Sequence, residues 1–278
     1  MAKLPTISFS KNTLPAAGTL VVLMPAKASL PETVEQSAAA DQINRAIKVE
    51  KFTGKALASI GLVAPEGGLD KIVLLGCGDL EEASESSLLK IGGKIMASAG
   101  KAEKIFVMTD NEAFTADQIA MVASGAKLRS YRFDDYLTKG READKKPKKQ
   151  ARITFGTNSL AATRKAWARA DGVSDGVNLA RQLVNEPANI LGPVEFAKAA
   201  QKLKTLGVEV EVVVLVGPAG RDRAREVEVA EWTLGRYIAT PVVGRKDVHL
   251  DVALEVEGGF GGGIRARQHG DHNEDQDP

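Results

Sequence analysis

The chain has a single cysteine, Cys77, in 278 residues, so an intrachain disulfide is excluded. A lone thiol fits a reducing compartment. No stretch approaches the roughly 18 apolar residues that a membrane span requires. The apolar run near the start, Thr19–Met24, is too short for the core of a secretory signal and stops at Pro25. A cytoplasmic location and no membrane partner are therefore expected. There is no large excess of charge of one sign, the net value being +1, so nothing global draws the chain to nucleic acid or to an acidic membrane surface. Internal repeats, P-loops and GxGxxG patterns are also missing.

What is present is the composition of a globular protein, 44% apolar and 26% charged, in a chain long enough for one large domain or two ordinary ones. Short apolar runs alternate with segments of helical period. Thr19–Met24, Lys71–Leu75, Lys104–Met108 and Arg152–Phe155 read as strands. Asp41–Ile47, Ser84–Ala99 and Thr115–Leu128 read as helices, the second with Leu88, Ile91, Ile95 and Met96 in one stripe. Pro65–Gly68 is a turn between Ala56–Val63 and Lys71–Leu75, which allows a hairpin. The strand–helix–strand succession from Lys71 to Met108 is a βαβ unit with parallel strands. Gly92-Gly93 inside its helix suggests close packing against the sheet. Together these patterns give an α/β fold.

A long helix is expected over Thr163–Val184, with Trp167, Ala170, Val173, Val177, Ala180 and Val184 as its apolar stripe and Trp167 as an anchor between domains. It ends at Asn185-Glu-Pro187, where proline disfavours helix at the preceding residue. Pro193 starts the next helix, Gly207 caps it, and Val208–Leu215 is a strand. The expected divisions are a first domain over 1–157, a linker helix over 158–186 and the start of a second αβ domain over 187–215.

Beyond about residue 216 the chain changes character. Residues 1–210 hold 21 lysines and 8 arginines, whereas residues 211–278 hold 1 lysine and 7 arginines, together with all three histidines. A disordered extension would explain the polar, glycine-rich end. A shifted reading frame would explain the exchange of lysine for arginine at one point. It is the preferred reading, because Val227–Val242 is neither clean helix nor strand nor a typical linker.

The segment Asn178–Val208, NLARQLVNEPANILGPVEFAKAAQKLKTLGV, closely resembles the opening of the catalytic domain of leucyl aminopeptidases. Its core is Ala180-Arg-Gln-Leu-Val-Asn-Glu-Pro-Ala-Asn189 followed by Gly192-Pro193. Phe52-Thr-Gly-Lys55, Asp70–Gly78 and Ser130-Tyr-Arg-Phe-Asp134 look similar to the family too, in its order and spacing, so that the resemblance spans about residues 5–212. It implies a macro-like mixed-sheet αβα amino-terminal domain without catalytic residues, a linker helix, and a catalytic αβα domain that is incomplete here.

The resemblance further implies homohexamers that release amino-terminal residues, leucine among them, from peptides. Two divalent metals, usually zinc, manganese or magnesium, would bind the substrate and generate the attacking hydroxide. The family's ligands lie in motifs resembling GKG…FDTGG and NTDAEGR, and neither motif is in this sequence; Gly258–Gly263 and Asn273-Glu-Asp275 are no substitutes. No catalytic, cofactor-binding or metal residue is therefore carried over. No cofactor is expected in this chain, peptide substrates would require the missing part, and self-association is the expected partner interaction.

Other features have simpler readings. His269, Asp271, His272, Glu274, Asp275 and Asp277 offer metal-ligating groups, but an ordered framework is what makes such groups a zinc site. The basic stretch Lys139–Arg152 is interrupted by Glu142 and Asp144 and reads as a solvated loop, although some family members bind DNA. Gly67-Gly68, Gly76 and Gly78 could cradle a phosphate, as loops of macro-like folds cradle ADP-ribose, but tight turns account for them more simply. Cys77 has no histidine near it in sequence and reads as a buried thiol.

Overall fold

The computed structural model describes residues 4–109, 113–136, 150–215, 227–233 and 236–239. The chain forms two compact units, Met1–Asn185 and Glu186–Pro278.

The first unit is built on strands β1 (Thr6–Ser10), β2 (Thr19–Pro25), β3 (Ser59–Val63), β4 (Lys71–Gly78), β5 (Lys104–Met108) and β6 (Arg152–Gly156). They form one sheet in the order β1-β6-β5-β2-β4-β3. All neighbours are parallel except the β3–β4 pair, so the expected hairpin is present. β2 is central, covered on both faces and apolar along its length, as buried parallel strands are. β4 and β5 run parallel, but β2 lies between them, so their crossover passes over a strand formed earlier in the chain. β1 was not legible in TISFS: it is an edge strand on which only Phe9 is buried.

Helices α1 (Glu32–Glu35) and α2 (Ala40–Val49) cover one face through Val34 and Ile43, packed on Leu20, Val22, Ile72 and Leu74. Helices α3 (Glu85–Ala99), α4 (Ala116–Arg129) and α5 (Leu160–Asn185) cover the other. Their starts are encoded locally. The Ser84 hydroxyl accepts from the Ser87 amide, and Thr115 and Gln118 form a reciprocal capping box.

The close packing expected at Gly92 is present, but against a helix and not the sheet. A Cβ there would lie 1.9 Å from the Val122 carbonyl oxygen of α4, and one at Gly125 would lie 2.1 Å from the Leu89 carbonyl oxygen of α3. The two glycines let the α3 and α4 backbones touch.

α5 departs from its predicted stripe. Its buried residues are Thr163, Ser174, Asn178 and Gln182, whereas Val173 and Val184 are 64% and 84% exposed. Apolar periodicity misled here because the α4 surface that α5 meets is polar and bonds side chain to side chain. Trp167 packs within the first unit, its ring 5.9 Å from that of Phe9. The boundary expected near 155–160 is the end of the sheet, and α5 belongs with the first unit.

In the second unit, α6 (Pro193–Gln201) opens on Pro193, and a 3-10 turn, Lys202–Leu206, ends at Gly207 in the left-handed region. Strand β7 (Val210–Leu215) pairs antiparallel with β8 (Val227–Thr233), and β8 pairs with β9 (Arg236–Ala239). Strand within Val227–Val242 corrects the expectation of an irregular segment there. Its alternation, VEVAEWT, is the pattern that carries it.

Candidate functional site

Two of the segments that carry the family resemblance meet at the end of α5. α4 stops at Arg129, and Ser130–Tyr136 runs on from it. The last two turns of α5 run back onto this point and place Asn178, Arg181, Gln182 and Asn185 on one side, at spacings of three and four. Arg181 Nη1 donates to the Leu128 carbonyl at 2.8 Å, satisfying one of the carbonyls a helix end leaves open. It also lies 3.4 Å from Asn178 Oδ1, and its guanidinium carbon sits 5.8 Å from the centre of the Tyr131 ring.

The Tyr131 hydroxyl donates to Gln182 Oε1 at 3.4 Å and accepts from Asn185 Nδ2 at 3.2 Å. Gln182 Nε2 reaches Asp135 Oδ2 at 3.4 Å. Ser130-Tyr-Arg-Phe-Asp134 and the Arg-Gln-Leu-Val-Asn run are thus two halves of one polar clamp. It ties the last turns of α5 to the segment that follows α4.

One and a half turns earlier lies a second polar group that sequence reasoning missed. Lys127 on α4 is 7% exposed and bonds Asp171 and Asp175 of α5, the latter at 2.6 Å. Its ammonium lies 5.9 Å from the Trp167 ring centre, and Ser174 Oγ donates to Ser124 Oγ at 3.0 Å beside it. Burial pulls the lysine pKa down, but the hydrogen bonds and charges of the two aspartates outweigh this and hold it above the ordinary value. The signal was the i, i+4 spacing of Asp171 and Asp175; a cation from another helix to receive them is a tertiary fact.

Cys77 is buried in β4, and desolvation lifts its pKa to about 12 against a smaller opposing effect of the Met24 backbone. It is a packed thiol, as read. Gly76 is required by close approach, since a Cβ would lie 2.1 Å from the Lys55 carbonyl oxygen. The histidine–acid cluster at His269–Asp277 and residues 139–149 of the basic stretch lie outside the described residues; Arg152 is exposed at the start of β6. Among the described residues no three His, Cys, Asp or Glu side chains could hold a metal ion, and no helix is long and apolar enough to cross a membrane.

Residues 21–140 match the model of the cytosol aminopeptidase family, N-terminal domain. This segment is an N-terminal domain of the cytosol aminopeptidase family. The chain is 37% identical over 251 residues to a protein of Rhizobium etli and 39% identical over 253 residues to one of Rhizobium meliloti, both named "Probable cytosol aminopeptidase". These matches take in 85% and 84% of this chain, but only 51% and 50% of the relatives. The chain spans about half the length of the curated cytosol aminopeptidases it matches. Matches of that extent cannot be contained within residues 1–212, so the likeness runs on past Val212.

Among solved structures, a tomato leucine aminopeptidase mutant superposes with a TM-score of 0.62 at 21% identity, over 88% of this chain and 53% of its own. The bottromycin maturation enzyme BotP in complex with Mn gives 0.56 at 19% identity, over 77% and 44%. At such identities these two show the shared α/β fold. For the pair of divalent metals that the cytosol aminopeptidase family implies, the described residues supply no fitting donor set.

Proposed function

We propose that this chain carries the non-catalytic amino-terminal portion of a leucyl aminopeptidase, and that by itself it releases no amino acid from peptides. The observation that carries this reading is the half-length match to cytosol aminopeptidases, joined to the absence of both metal-ligand motifs from the sequence. In such an enzyme two divalent metals, manganese or zinc, would supply the hydroxide and polarise the scissile carbonyl. Two ions of that kind need several acidic ligands held by one fold. What this chain contributes is structural: a sheet, a long helix, and the clamp that ties the end of that helix to the segment after α4.

A cytoplasmic location belongs to the same proposal and is supported by the names of the relatives. So does self-association. Val173, Val177 and Val184 form an apolar line on α5 that is 64%, 37% and 84% exposed, and such a line favours burial against another surface.

Purified chain incubated with leucine p-nitroanilide and Mn²⁺ or Zn²⁺ is expected to give no turnover above the blank. Turnover abolished by a chelator would overturn the inactivity. Size-exclusion chromatography is expected to show association; a monomer that leaves ANS dark would overturn that part.

A further inference from the structure

The antiparallel hairpin ends the sheet on β3, and among the described residues no strand pairs with its outer edge. In antiparallel pairing, alternate residues turn their amide and carbonyl groups toward the partner strand. The Ala64 amide donates to the Asp70 carbonyl and the Gly76 amide to the Ala58 carbonyl, so the even-numbered residues face β4. Ser59, Gly61 and Val63 therefore direct their backbone donors and acceptors outward. All three are exposed, Val63 to 78%.

Ser59 and Gly61 also border a groove of about 320 Å³ between β3 and helix α3, walled by Lys71, Val73, Lys94 and Ser98. Two lysines, Lys71 and Lys94, line it. Lys71 Nζ donates to the Ser98 carbonyl at 2.7 Å, which leaves further protons to donate. The floor is small: Gly61 has no side chain, and a Cβ there would already stand 3.3 Å from Lys71 Cε.

We propose that this edge binds an extended acidic peptide as an added strand. Its backbone would pair with Ser59, Gly61 and Val63, and its inward-facing carboxylates would meet Lys71 and Lys94. Strand addition draws affinity from main-chain bonds and selectivity from pockets for alternate side chains. A nucleic acid could meet the lysines but could not complete the alternating edge, so a peptide suits the site better. The proposal is independent of whether the chain has peptidase activity.

The probe is a fluorescein-labelled octapeptide of alternating Glu and Val, titrated against the full chain by anisotropy, with a Lys–Val octapeptide and a single-stranded oligonucleotide as comparisons. Gly61→Pro removes an outward amide, which edge strands tolerate, and adds a ring beside Lys71 Cε, so a Glu–Val peptide N-methylated on alternate amides is titrated alongside it. Lys94→Gln leaves the edge intact and removes one charge. Saturable binding of the Glu–Val peptide is expected, with the Lys–Val peptide at least tenfold weaker and each variant at least tenfold weaker. Circular dichroism of both variants should match the parent. The N-methylated peptide should bind at least tenfold less tightly, and it gives the same test should Gly61→Pro not fold. Three results would overturn the proposal: no saturable binding; oligonucleotide binding that needs Lys94 but ignores Gly61→Pro; or an edge-paired dimer dissolved by Gly61→Pro with no peptide bound.

Discussion

Asn185 and Tyr131 lie 54 residues apart, and the Asn185 side-chain amide donates to the Tyr131 hydroxyl at 3.2 Å. This bond closes the clamp that Arg181 and Gln182 begin, so the last turn of α5 is tied to the segment that leaves α4. A motif that reads in sequence as a helix stop is, in space, one side of a helix–loop junction.

Removing the hydroxyl alone should weaken that junction without emptying it. Tyr131→Phe is expected to cost about 1 kcal/mol, because two partly exposed hydrogen bonds are lost and the ring stays in place. Arg181→Ala should cost more, about 2 kcal/mol, since the Leu128 carbonyl loses a charged donor. Urea denaturation of both single variants and the double variant would measure their coupling. Full additivity would show that the arginine and the tyrosine hydroxyl are not coupled.

Glycines in helices should divide into two classes of opposite sign. Gly92→Ala and Gly125→Ala drive a methyl into the backbone of the facing helix and should each cost about 1–3 kcal/mol or more. Gly172 and Gly176 on α5 would meet nothing within 4 Å, so alanine there should stabilise by about 0.5–1 kcal/mol. Thermal melts of the four variants would test this, and a destabilised Gly176→Ala would show that its side of α5 is covered.

The Lys127 pair gives a pH dependence whose sign is fixed. Its pKa is raised in the folded state, so its contribution is complete below the unfolded value near 10.5 and is lost as pH climbs through the higher folded value. Stability measured from pH 9 to 12 should decline more steeply for the parent than for Lys127→Met. At pH 8 that variant should be less stable by about 1–2 kcal/mol, a modest figure because Asp171 and Asp175 remain partly in water. Parallel curves for the two proteins would contradict the assignment.

Cys77 should be chemically silent while the fold persists. With its pKa pushed up to about 12 and its sulfur buried, almost no thiolate exists at pH 8. Iodoacetamide is expected to leave it unmodified in native protein and to alkylate it fully in urea, as read by mass spectrometry. Rapid native labelling would mean that β4 opens locally.

Much of the fold follows from local rules. The four apolar parallel strands and helices α2 to α4 were legible because buried strands are continuously apolar and α2 to α4 each show one apolar face. The stops at Asn185-Glu-Pro187 and Gly207 were legible because proline and glycine restrict or free the backbone irrespective of surroundings. The family likeness was legible too, since it rests on the order of short motifs.

The sequence by itself determined most elements of the first unit, the α/β class and the absence of the family's metal-binding motifs, because each depends on residue identity at short range. Only the tertiary structure decided that β2 lies between β4 and β5, that Gly92 serves a helix crossing, and that α5 buries Ser174 and Asn178 while Val173 and Val184 face outward. The reason is physical. Periodicity records which side of an element is apolar, but the surface it meets comes from a distant part of the chain. When that surface offers Lys127, Ser124 and the open end of α4, hydrogen bonds and charge, rather than apolar area, select the face that is buried.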